Sequence, residues 1–115
     1  MTEILEFNTY QKKAMRTCGI SSDKKYDMLL HAVFGLTSEA GEVAGILQKV
    51  YQGHDFDLDH IKKELGDCLW MIAEACESLD IHMSDVATTN IEKLKARFPD
   101  GFDPEKSLHR SEGDI

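Results

Sequence analysis

Leu29, Val33, Leu36, Ala40, Val43, Leu47 and Val50 recur at alternating steps of four and three. That spacing returns an apolar side chain to one face of an α-helix at every turn, whereas a strand repeats every second residue. It is the clearest periodic signal in the chain. It predicts a helix over Tyr26–Tyr51 carrying a bundle seam. The prolines are Pro99 and Pro104, so residues 1–98 contain none to break a helix. Three further helices follow from period and punctuation. One covers Thr2–Thr17, with Ile4, Phe7, Tyr10, Gln11, Ala14 and Met15 on a face. Another covers Leu58–Leu79, with a seam of Leu58, Ile61, Leu65, Cys68, Leu69, Ile72, Cys76 and Leu79. The last covers Met83–Phe98, with Val86, Ala87, Ile91, Leu94 and Phe98 turned inward. Cys18–Asp23 reads as a loop, Gly53 as a helix stop, Asp57 as an N-cap and Pro99-Asp100-Gly101 as a turn. No useful stretch alternates with period two. The expectation is an all-α fold: an antiparallel helical bundle of four main helices in a single domain over residues 1–115, with an irregular tail from about residue 103.

A chain of 115 residues supports one modest core, and assembly into dimers or tetramers would add burial. The formal charge of -8 disfavours extended contact with a nucleic-acid polymer or an anionic membrane. Three cysteines, Cys18, Cys68 and Cys76, without a CxxC spacing read as small buried side chains in a reducing, cytoplasmic setting. No apolar signal core or membrane-length run is present in the sequence. His31, His54, His60, His82 and His109 form no zinc spacing.

Two short runs carry the chemistry: Glu39-Ala-Gly-Glu42 and Glu64-Leu-Gly-Asp67. Acids at i and i+3 lie on neighbouring turns and point to one side of a helix. Both pairs flank an apolar seam, so antiparallel packing of the two helices would bring four carboxylates together. Such an oxygen-donor set suits a hard cation, Mg²⁺ or Mn²⁺. Gly41 and Gly66 hold equivalent places in the two runs, although a helix-interior glycine costs about 1 kcal/mol relative to alanine. Either the backbones approach closely there or the missing side chains leave room for a ligand. Glu74 and Glu77 share the three-residue spacing and read as a solvated face. Ferritin-like di-iron bundles use Glu-x-x-His pairs, whereas these runs end in Glu42 and Asp67.

The ExxE and ExxD pair, with Glu64-Leu-Gly-Asp-Cys-Leu-Trp70 and Asn90-Ile-Glu-Lys-Leu-Lys-Ala-Arg-Phe-Pro-Asp-Gly-Phe102, resembles the MazG-like family of all-α nucleoside triphosphate pyrophosphohydrolases. The resemblance covers the chain from the first helix to Phe102. It implies Mg²⁺-dependent cleavage between the α- and β-phosphates of a nucleotide, giving a monophosphate and pyrophosphate, as in nucleotide-pool housecleaning. It further implies that Glu39, Glu42, Glu64 and Asp67 hold the metal, which would neutralise phosphate charge and acidify the attacking water. Glu39 is the candidate to accept that water's proton. Asn90 and Lys93 fall within the family's C-terminal block and are expected on phosphate or sugar. Arg97 continues their stripe, and Lys49 lies two turns beyond Glu42; each is a candidate phosphate ligand or a surface cation. Tyr10, Gln11 and Thr17 are candidates for reading the base. Trp70 is expected to pack against a helix or a second subunit, and Met71 to lie towards the metal side.

Three alternatives remain open from sequence: a phosphoribosyl-ATP pyrophosphohydrolase, a dUTP-directed relative, and a non-catalytic helical adaptor. The family resemblance also implies a homodimer or homotetramer.

Overall fold

The structure, a computed structural model, describes residues 4–109. Five helices follow in order: α1 (Phe7–Met15), α2 (Lys25–Tyr51), α3 (Leu58–Ser78), α4 (Met83–Arg97) and α5 (Pro104–Leu108). The all-α expectation holds, with four main helices and one short one. The predicted ends of α2, α3 and α4 lie within a residue of those observed. The first helix is shorter than expected: Ile4–Glu6 are not helical and Thr17 lies beyond its end, while Thr2 falls outside the described residues. Pro104–Leu108, expected to be irregular, form a short helix. The Asp103 carboxylate accepts from the Glu105 N–H at 3.0 Å and Pro104 opens the helix, so a local cap starts α5.

Two compact units result, residues 1–83 and 84–115. In the first, α2 packs on α3 and α1 packs on α3. Three cross-helix contacts fix an antiparallel register for α2 and α3. His31 meets Glu74, Gly35 lies under Met71, and Glu39 meets Glu64 and Asp67. Position rises along α2 as it falls along α3, with the paired numbers summing to about 105 throughout.

The register shows which glycine lies against the facing helix. A Cβ at Gly35 would crowd the flexible end of the Met71 side chain, so this is where α2 makes room for α3. A Cβ at Gly41 or Gly66 would meet nothing within 4 Å. Close backbone approach at those two positions is therefore ruled out, and open space beside the carboxylates remains.

The core of the first unit is Ala73, Cys76 and Met83, packed by Tyr10, Ala14, Met15, Leu69, Ile72 and Ile81, with Met28, Ala32 and Ile46 buried on α2. The α2 seam read from sequence is offset from this buried line. Met28, Ala32 and Ile46 are buried and Gly35 and Glu39 meet α3, whereas Val33 and Leu47 remain about half exposed. Both ends of the α2–α3 hairpin are closed by the same hydrogen-bond pattern. After α2, Gly53 adopts φ +105, its N–H bonds to Val50 O, and His54 N–H reaches Lys49 O, both at 3.0 Å. After α3, Asp80 takes the glycine's place at φ +56, with Asp80 N–H on Glu77 O and Ile81 N–H on Cys76 O. As predicted, Asp57 caps α3, accepting from His60 N–H at 3.1 Å.

The second unit carries the rest of α4, the turn at Pro99–Gly101 and α5. Phe98 and Phe102 pack with ring centroids 5.3 Å apart. Val86, Ile91 and Leu94, expected to turn inward, remain 41–51% exposed. No helix among the described residues is long and apolar enough to cross a membrane.

Candidate metal centre

Glu39 projects from the middle of α2, and Glu64 and Asp67 project from the first half of α3. The antiparallel register sets these turns opposite one another. One carboxylate oxygen from each of the three lies within 4.8 Å of the others. Glu39 and Glu64 are half-buried and Asp67 is exposed, so the cluster opens to solvent on one side.

Glu39 registers the crowding. Desolvation raises its pKa above the ordinary carboxylate value. A hydrogen bond with Glu64 and the charges of Asp67, Glu64 and Glu42 add to the rise. Like charges held this close are unfavourable unless a proton or a cation lies between them. An all-oxygen, anionic donor set with an open side fits a hard divalent cation. Tyr10, packed beside the core, feels the same centre. Its phenol is raised first by burial and then by the charge of Asp67.

Glu42, the fourth predicted ligand, stands outside this three-residue cluster. It is exposed and lines an adjoining cavity of about 280 Å³ at the α2–α3 connection. Lys49, the predicted phosphate ligand, lines the same cavity, as do Gly45, His54, Asp55 and His60. His60 lies one turn before Glu64, with Nε2 3.5 Å from Glu64 Oε1, and so joins the cavity wall to the carboxylate cluster. Sequence reasoning passed over His60. The i, i+4 spacing from His60 to Glu64 was the available signal.

Three sequence expectations require correction. Gln11 is buried and committed to internal bonds: Nε2 donates to Glu77 Oε1 at 3.1 Å and Ile81 O at 3.0 Å, while Oε1 accepts from Met83 N–H at 2.7 Å. It ties α1 to the α3–α4 connection and has no donor left for a base. Thr17 is similarly occupied, donating to Ala14 O and accepting from Trp70 Nε1 at 2.9 Å. Glu74 does not lie on a solvated face. Its side chain is fully buried, with Oε1 2.6 Å from His31 Nδ1, and Oε2 accepts from Cys18 Sγ at 3.3 Å. Glu77 is half-buried and accepts from Gln11.

Trp70 packs as anticipated against the end of α1. Its Nε1 also donates to Ala14 O at 3.1 Å, and its ring meets His31 edge-on at 6.3 Å. Asn90 and Lys93 are exposed on α4 in the second unit, and Arg97, at the end of the same stripe, is half-buried.

Residues 27–102 match the family model described as the MazG nucleotide pyrophosphohydrolase domain. The matched span includes all four acids, the cavity and the Asn90–Phe102 block, and it crosses the boundary between the two units. The chain is also 34% identical over 74 residues to "Gene 37 protein" of Mycobacterium phage L5, covering 60% of this chain and 65% of that relative's length. No solved structure matches the chain significantly.

Proposed function

Because this chain belongs to the MazG nucleotide pyrophosphohydrolase family, we propose that it hydrolyses a nucleoside triphosphate between the α- and β-phosphates, releasing a monophosphate and pyrophosphate. The observation that carries this reading is the convergence of Glu39, Glu64 and Asp67 within 4.8 Å, on a face open to solvent. In this reading the three carboxylates hold Mg²⁺, for which Mn²⁺ can substitute, and Glu42 approaches from the cavity side. The cation, when bound, offsets substrate charge and makes water a better nucleophile near neutral pH. Glu39 is assigned in this reading to take the attacking water's proton. Asn90, Lys93 and Arg97 serve as substrate ligands from α4, and Lys49 as a further one from α2. Gln11 is withdrawn from the set because its amide is occupied internally. The role assigned is nucleotide-pool housecleaning in the cytoplasm by a homodimer or homotetramer.

The test is pyrophosphate release from a panel of nucleoside triphosphates, phosphoribosyl-ATP included, with and without Mg²⁺ or Mn²⁺. Metal-dependent release from any of them, lost in Glu39→Gln and Asp67→Asn, supports the proposal. A panel without release would instead favour a non-catalytic helical protein.

A further inference from the structure

The cavity beside the carboxylate cluster shares a wall with it. Glu42 belongs to the acidic run of α2, and His60 contacts Glu64. Its volume, about 280 Å³, falls just under the roughly 300–1,000 Å³ of ordinary ligand pockets. That is room for one part of a nucleotide.

The charge of the lining decides which part. Lys49 is the one permanent cation among the lining residues, against the carboxylates of Glu42, Asp55 and Asp57. A polyphosphate tail placed there would meet three like charges against one cation. A sugar and base are uncharged and rich in O–H and N–H donors, which an acceptor-rich wall satisfies. Ile46 adds an apolar surface, and Gly45 leaves the α2 wall bare, since a Cβ there would meet no atom within 4 Å.

We propose that this cavity receives the nucleoside half of the substrate, with Asp55 and Gln48 reading its donors and acceptors, while the phosphates remain at Glu39, Glu64 and Asp67. The assignment rests on the pyrophosphohydrolase reading and adds to it a direction for the bound nucleotide along the α2–α3 seam. It makes this end of the seam, formed by the Gly53–Asp57 connection and the turns flanking it, the determinant of base and sugar preference.

The test is equilibrium binding, by calorimetry in the presence of Mg²⁺, of two probes: nucleoside 5′-monophosphates carrying adenine, cytosine, guanine or uracil, and inorganic pyrophosphate. Gly45→Leu grows a side chain from the bare wall at a site where leucine is the better helix former. Asp55→Asn removes a carboxylate from an exposed connection and keeps the test independent of any disturbance to α2. Both variants are expected to weaken the best-bound monophosphate, Gly45→Leu by at least tenfold, while pyrophosphate affinity stays within twofold of wild type. Unchanged monophosphate binding in both variants overturns the assignment, as does an equal loss of both probes. A wild-type protein that binds neither probe, and releases no pyrophosphate from any triphosphate, overturns the pyrophosphohydrolase reading and this assignment with it.

Discussion

Glu39 and Glu74 are both carboxylates on the α2–α3 interface, yet their surroundings give them opposite tasks. Glu39 is crowded by acids on an open face, and Glu74 is sealed among hydrogen-bond donors. For Glu39 the sign of the pH effect follows from its raised pKa. The folded, metal-free protein holds that proton at a pH where the unfolded chain has lost it. This group therefore costs stability as pH rises through its folded value, and the cost is relieved below the unfolded one. Mg²⁺ competes for the deprotonated form and removes the same cost. A cation at a hundredfold excess over its Kd contributes about 2.7 kcal/mol, so Mg²⁺ should raise Tm by several degrees at pH 8 and by clearly less near pH 5. Thermal melts at the two pH values check this; an increment independent of pH would place Mg²⁺ elsewhere. For Glu74, truncation leaves His31 and Cys18 without their shared acceptor and opens a buried void. Glu74→Ala should cost about 1–3 kcal/mol, the cost of leaving its hydrogen-bond partners unsatisfied. Glu74→Gln, which retains an acceptor, should cost less, and urea unfolding of the two variants gives the comparison. Sequence spacing could not separate Glu74 from a surface acid. What buries it is the register that sets His31 opposite, together with the loop that delivers Cys18.

At the scale of elements, α2, α3 and α4 were legible from the sequence because period, proline placement and caps agree. The Gly53 stop and the Asp57 cap were equally readable, since each acts through its own neighbours. The stop after α3 was not, because Asp80 holds a left-handed conformation that composition does not announce. A non-glycine residue there costs roughly 1–2 kcal/mol. Its exposed ion pair with Lys25, at 3.2 Å, returns about 0–1 kcal/mol. Asp80→Gly should therefore be neutral to stabilising by up to about 1 kcal/mol. Gly53→Ala, the reverse change in the matching motif, should destabilise by about 1 kcal/mol. Denaturation midpoints of the two variants should move in opposite directions, or Asp80→Gly not at all. The close-approach glycine also escaped sequence reading. Gly35 lacks acidic neighbours to draw attention, and its role exists only once Met71 lies across it.

Among the described residues, α2 and α3 carry apolar side chains that their own packing leaves exposed. Tyr26, Val33, Leu47 and Tyr51 on α2 are 49–93% exposed, and Leu58 and Leu65 on α3 are 67% and 54% exposed. The regular α2 seam read from sequence runs partly along this uncovered surface, which is why periodicity identified the helix but misjudged its buried face. Assembly into dimers or tetramers, proposed above, would cover such a surface. Light scattering at micromolar concentration should give a mass at least twice that of the chain, and a monomer would contradict the assembly. Of the candidate site, the convergence of Glu39, Glu64 and Asp67 was legible because spacing puts acids three residues apart on one side of a helix, whereas Glu42 stands outside that cluster. The cavity beside them was not, since its wall joins the end of α2 to the start of α3 across a turn. The central claim is that Glu39, Glu64 and Asp67 form a metal-dependent reaction centre for nucleotides. Its most direct measurement is pyrophosphate release from nucleoside triphosphates with Mg²⁺, in wild type and in Glu39→Gln at matched fold content. The predicted result is Mg²⁺-dependent release in wild type, reduced at least a hundredfold in the variant. Release that persists undiminished in Glu39→Gln, or that needs no divalent cation, would contradict it.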